Sequence, residues 1–112
     1  MDAVGVISAD LTEDIGAKLP LLDRIAAKHG VEIVDVVTVD PGETGWVFEL
    51  LERVNVLGAH AVVVESFEHV HGLERAVTGV ADLHSLYLSV RYVGYGAGHT
   101  RPSAAAAGGS GR

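Results

Sequence analysis

Gly58-Ala-His-Ala-Val-Val-Val-Glu-Ser-Phe67 is the stretch whose reading decides the fold. Its core, Ala61–Val64, is apolar without alternation, β-branched and too short for a buried helix. That pattern is a central parallel strand covered on both faces, and its carboxyl end, Glu65 to His71, faces a candidate site. Upstream, Ala3–Ile7 is a second unbroken apolar run closed by Ser8-Ala-Asp-Leu-Thr, residues suited to a βα loop. Between the two runs, Leu19, Leu22, Ile25 and Ala26 recur at helical spacing and stop at His29-Gly30. Proline is tolerated only in a helix's first turn, so Pro20 places the start of this helix near Leu19 and leaves Glu13–Lys18 outside it. Strand 2 is Val31–Val39, closed by the turn cluster Asp40-Pro-Gly-Glu-Thr-Gly45. Helix 2 runs from Trp46 through Val47, Leu50, Leu51, Val54 and Leu57, carries a Glu49/Arg53 pair, and ends at Gly58.

Downstream, Leu73, Ala76, Val77, Val80 and Leu83 form a helical stripe over 72–83, weakened at Gly79 by about 1 kcal/mol relative to alanine. Tyr87–Val93 reads as strand 4, with Leu88, Val90 and Tyr92 opposed to Ser89 and Arg91, an edge strand covered on one face. Strands alternating with helices predict an α/β domain over 1–93: three layers, α/β/α, around a four-stranded parallel sheet in the order 2-1-3-4. Residues 94–112, rich in glycine and alanine, read as a flexible tail, and their Gly94-Tyr-Gly-Ala-Gly98 is a weak echo of a dinucleotide loop with no helix to open.

Composition removes several function classes. The 112 residues suffice for one domain and include no cysteine, which excludes disulfides and thiolate chemistry. No apolar run approaches ~20 residues, and Met-Asp-Ala lacks a basic leader, so the expectation is a cytoplasmic protein with no membrane contact. Net charge is -7. All 15 acidic residues lie at or before Asp82, and only 6 of the 8 cationic ones lie within residues 1–93. Duplex DNA is bound largely through Lys and Arg on phosphates, so direct duplex binding is not expected.

In the order 2-1-3-4, the loops bearing Ser8, Asp40–Gly45 and Glu65–His71 meet where the strand order reverses. Three motifs there resemble the catalytic domain of serine recombinases of the resolvase and invertase family. Val4-Gly-Val-Ile-Ser8 looks like that family's Tyr-Ala-Arg-Val-Ser, with Ser8 at the nucleophile's position. Asp40-Pro-Gly-Glu-Thr-Gly45 looks like its Asp-x-Gly-x-Ser-Gly loop, and Ala61–Gly72 is similar to its strand ending in Leu-Asp-Arg-Leu-Gly-Arg. The resemblance spans about residues 3 to 93 and implies a resolvase-like fold. It also exposes what is missing. The family's arginines are replaced by Val6, by Trp46 or Val47, by Glu68-His69 and by Gly72. A serine attacking a phosphodiester needs positive donors for the developing charge, and losing one typically costs about 100-fold or more. What the resemblance implies is a degenerate relative without strand exchange, and no cofactor is called for.

The residues leave three readings open. Ser8, Glu68 and His69 are the vestigial catalytic positions; a non-catalytic interaction or regulatory module keeps them only as loop residues. Alternatively Ser8 is the nucleophile of a small enzyme, with His69 or His71 as base. In the third reading Glu65, His69 and His71 supply oxygen and imidazole donors for zinc or a similar cation, making the domain a sensor. Asp40, Thr44 and Trp46 form a candidate ligand-binding loop, with Trp46 also suited to core packing. Right-handed crossovers put helix 1 on one face and helices 2 and 3 on the other, leaving sheet uncovered over strands 3 and 4. Tyr87, Ser89, Arg91 and Val93 then form the expected interface for a homodimer or a protein partner.

Overall fold

Strand β1 (Asp2–Ser8) runs up the middle of the sheet and is buried from Ala3 to Ser8. The structure, a computed structural model, describes residues 1–93. Strand β2 (Glu32–Val39) pairs with β1 in parallel along its length, and β3 (Ala61–Val63) pairs with β1 on its other side through Ala3, Val4 and Gly5. These are the expected positions, and the apolar run at 61–63 is fully buried. Gly5 has a packing reason: a Cβ there would stand 3.2 Å from Leu22 Cδ1 and 3.4 Å from Val36 Cγ2. The missing side chain lets the first helix sit close on β1.

That helix, α1, spans Ile15–Lys28 and begins earlier than Pro20 suggests. Asp14 caps it by accepting the Ala17 amide at 3.2 Å, which fixes the first turn upstream of the proline. Pro20 is the sixth helical residue, so the Gly16 carbonyl lacks its usual i+4 donor. Gly16 is exposed, and water can serve instead. Helix α2 (Trp46–Leu57) is entered and left through two glycines in the left-handed region, Gly45 (φ 82°) and Gly58 (φ 63°), as their positions in the sequence imply.

The third crossover departs from expectation. Phe67–Val70 is a 3₁₀ turn, α3 is only Glu74–Thr78, and Asp82–His84, at the end of the supposed helix, is the parallel strand β4 beside β3. The stripe ending in Val80 and Leu83 belongs to two elements: Leu83 is fully buried as a strand residue, and the Asp82 amide donates to the His60 carbonyl at 3.0 Å. A tight turn follows, in which the Ser85 amide donates to the Leu88 carbonyl at 2.7 Å and Ser85 Oγ bonds both Leu88 backbone groups at 3.0 Å. The chain therefore reverses, and Ser89–Val90 becomes β5, antiparallel to β4. Tyr87–Val93 is not the fourth parallel strand. The sheet is mixed and five-stranded, in the order β2-β1-β3-β4-β5.

Helices flank both faces. Val4, Val6, Val62, Val64 and Leu83 pack with Leu50 and Val54 of α2 and Val77 of α3, whereas Ala3, Ile7, Ala61 and Val63 pack with Leu22, Ile25 and Ala26 of α1. Among the described residues α1 is thus the one helix on its face, as the right-handed crossovers require. The glycine-rich stretch from Gly94 to Arg112, including the Gly94–Gly98 echo of a dinucleotide loop, lies outside the described residues. No helix among the described residues is long and apolar enough to cross a membrane.

Candidate functional site

Ser8 closes β1 at the carboxyl edge of the sheet, where β1 is flanked by β2 on one side and β3 on the other. It is fully buried. Both histidines of the segment after β3 converge on it. The Ser8 amide donates to His69 Nδ1 at 2.9 Å, and Ser8 Oγ lies 2.7 Å from His71 Nε2. Ser8 Oγ also donates to the Asp10 carboxylate, whose Oδ1 stands 3.4 Å from His71 Nε2. A hydroxyl carries one proton. With that proton given to Asp10, His71 Nε2 brings its own hydrogen to Oγ, so the carboxylate is the acceptor of the serine proton.

Local backbone geometry aims these rings. His71 ends the 3₁₀ turn in the left-handed region at φ 51°, a conformation that costs a non-glycine residue of order 1–3 kcal/mol, and Gly72 follows at φ 80°. The turn is thereby bent back over β1. Trp46, at the start of α2, packs edge-on against the His71 ring with centroids 5.8 Å apart. This contact joins the Asp40–Gly45 loop to the serine. In that loop the Asp40 carboxylate accepts the Gly42 amide at 2.9 Å, while Thr44 is exposed beside it.

His69 is 4% exposed, and its Nδ1 must be unprotonated to accept from Ser8. Its Nε2 then carries the hydrogen and faces Glu65 Oε1 at 3.7 Å. Burial pushes this imidazole below its ordinary value of 6.5, with the Glu65 charge partly opposing the shift. Glu65 is engaged in turn by Lys18, Nζ to Oε1 3.2 Å. The chain Lys18–Glu65–His69–Ser8 thus ties α1 to the end of β1. Beside it opens a cleft of about 390 Å³, with Lys18, Glu65, Glu68 and His69 on its walls and Leu86 and Tyr87 across from them.

The structure brings together Ser8, His69, His71 and Trp46 from the sequence candidates, and adds Asp10 and Lys18, which sequence reasoning passed over. Asp10 has only its place two residues after Ser8 as a signal. Glu68 is exposed on the rim of the cleft, away from the serine's hydrogen bonds. The set Glu65, His69 and His71 does not form a cation site. His71 turns to Ser8 and Asp10 while His69 turns its Nε2 to Glu65, and among the described residues no group of three or more His, Cys, Asp or Glu side chains is placed to hold a metal ion. The expected interface is also rearranged. Tyr87 (87% exposed) sits in the hairpin turn, Ser89 and Arg91 lie at the β5 edge, and the Val93 amide bonds the Thr78 carbonyl at the end of α3. The four are not one face of a strand, because Tyr87 lies in the turn and β5 covers only Ser89–Val90, so that Arg91 and Val93 fall beyond it.

No family model, no curated protein and no solved structure matches this chain.

Proposed function

We propose that this chain is a serine-recombinase-like domain that has lost phosphoryl transfer and works as a cytosolic protein-interaction or regulatory module. The observation that carries the reading is the state of Ser8: buried, with its Oγ held by the Asp10 carboxylate and His71, and with no arginine among its hydrogen-bond partners within the described residues. A phosphodiester brought to this serine would meet a carboxylate where the reaction needs a cation. Nearby Lys18 does not compensate, since its charge is taken up by Glu65. The module engages protein, as a homodimer or with another chain, and no duplex DNA. The test is anisotropy with labelled duplex DNA at physiological salt, alongside nicking of supercoiled plasmid. The expected outcome is neither binding nor nicking at micromolar protein. Salt-dependent binding, or nicking that Ser8→Ala abolishes, refutes the proposal.

One observation favours a second reading, a small Ser8-dependent enzyme. Ser8 Oγ stands 2.7 Å from His71 Nε2 and hydrogen-bonded to Asp10, so a proton acceptor is already in place. The carboxylate selects against phosphate and for a neutral acyl group. Asp10 approaches the same ring nitrogen as Ser8, not the opposite one, and so does not orient the imidazole as in a serine–histidine–aspartate relay. Hydrolysis of p-nitrophenyl acetate that falls to background in Ser8→Ala would establish this reading over the first.

A further inference from the structure

Among the described residues α1 is the single helix on its face of the sheet, and none of them covers the surface between α1 and the β4–β5 hairpin. A cleft of about 420 Å³ lies there, with Leu21, Ile25 and Leu86 as apolar lining and Arg24 and Lys28 along one wall. These two cations are one helical turn apart, both exposed, and neither forms an ion pair with a described carboxylate. In a chain of net charge -7, an apolar cleft edged by two free cations has a definite preference: an apolar surface carrying carboxylates.

The opposite side of the molecule presents such a surface. On α2, Phe48 is 72% exposed and Val56 is 73% exposed. They are i and i+8 on one row of the helix, with exposed Glu52 midway between them and exposed Glu49 one turn before Glu52. Arg53, the basic residue of this helix, is taken up by Asp35. The outer row of α2 is therefore apolar and acidic, and its acid pair, three residues apart, lies about one helical turn apart, close to the four-residue spacing of Arg24 and Lys28.

We infer that a second copy of this chain docks the outer face of its α2, through Phe48, Glu49, Glu52 and Val56, into the cleft formed by Leu21, Arg24, Lys28 and Leu86. This rests on the interaction-module reading and names the partner. The phenyl ring enters against Leu21 and Leu86 while the two carboxylates meet the two cations. The groove and α2 lie on opposite faces of one sheet, so a molecule cannot satisfy itself. The contact is head-to-tail: each copy offers a groove on one side and a helix on the other, and association propagates instead of closing as a two-fold dimer.

Charge inversion tests this on the full chain. Sedimentation velocity of the wild-type chain from 5 to 200 µM is expected to show species larger than a dimer that grow with concentration. Arg24→Glu with Lys28→Glu, and separately Glu49→Lys with Glu52→Lys, are each expected to weaken association about ten-fold or more, because each sets like charges against one another. An equimolar mixture of the two variants is expected to recover association, since each groove then meets a helix of opposite sign. The substituted residues are exposed, so thermal midpoints should stay within about 2 °C of wild type. If a charge variant fails to fold, Phe48→Ser provides the same loss without altering charge. A wild-type chain that stays monomeric at 200 µM overturns the inference, and so does association that survives all the variants. The second result would place self-association on another surface and leave the module reading standing; nicking or duplex binding would remove that reading instead.

Discussion

Substituting His69 tests the link that holds the candidate site together. Its imidazole is the acceptor for the buried Ser8 amide, at 2.9 Å from Nδ1. In His69→Ala the amide becomes an unsatisfied buried donor, which costs about 1–3 kcal/mol, and the packing of a nearly buried ring is lost as well, for a total of about 2–4 kcal/mol. Against a stability on the order of 5–14 kcal/mol for a domain this size, that is a large fraction. The loss has a pH signature. Burial depresses the His69 imidazole below 6.5, so the native state prefers it neutral while the unfolded chain takes up a proton. The unfolded state therefore binds more protons as pH falls below about 6.5, and stability declines in that direction. Protonated Nδ1 cannot accept, so acid removes the same hydrogen bond that the substitution removes. Urea unfolding at pH 7.5 and pH 5 should then show a gap between wild type and His69→Ala that narrows in acid. His69→Asn, whose amide oxygen can stand where Nδ1 stands, should recover part of the loss and flatten the pH dependence. Taking the difference between variants cancels His84, which burial and its neighbour His29 also hold low. A gap that stays constant or widens in acid would show that the Ser8–His69 bond is not what stabilises this edge.

The altered strand assignment makes a paired prediction. Leu83→Ala should destabilise by about 2–5 kcal/mol as a fully buried strand residue, whereas Leu88→Ala, at a position 60% exposed, should change stability by less than about 1 kcal/mol; unfolding midpoints that reverse this ranking would restore Tyr87–Val93 as the parallel edge strand with Leu88 on its covered face. Pro20→Ala should raise stability by about 1–2 kcal/mol, since an interior helical proline costs ~3 kcal/mol or more and is only partly offset by its stiffening of the unfolded chain. A lower thermal midpoint in that variant would mean that the proline, not Asp14, sets the geometry of the first turns.

The parts of the fold that were legible in the sequence share one property: a local signal agreed with the tertiary demand. Ala61–Val63 is apolar on both parities because both faces are covered, and Gly45 and Gly58 bracket α2 because the chain must enter and leave it left-handed. Where two local rules competed, reading one alone misled. At α1 the rule against interior proline outweighed the Asp14 cap three residues before Ala17, yet the exposed flank of the helix lets the Gly16 carbonyl turn to water. At β4 a three-residue strand was absorbed into a helical stripe. Leu83 falls three residues after Val80 and six after Val77, and the opposing signal, Ser85 closing a turn onto Leu88, is a hydrogen-bonding pattern and not a periodicity.

The site shows the same limit in another form. That Ser8 ends a central strand and that the segment after β3 faces it both follow from strand order. Which of the two histidines faces which atom does not. His69 and His71 are two residues apart, and in an extended loop both rings would point to one side, as a shared cation site needs. The 3₁₀ turn with a left-handed His71 instead divides them, giving one ring to the Ser8 amide and the other to its hydroxyl. Asp10 becomes relevant only after that division, because its carboxylate is held by the same hydroxyl that His71 reaches. A pair of positive-φ residues, His71 and Gly72, therefore separates a metal-binding loop from a serine clamp, and backbone handedness at a histidine is a quantity that residue type alone does not determine.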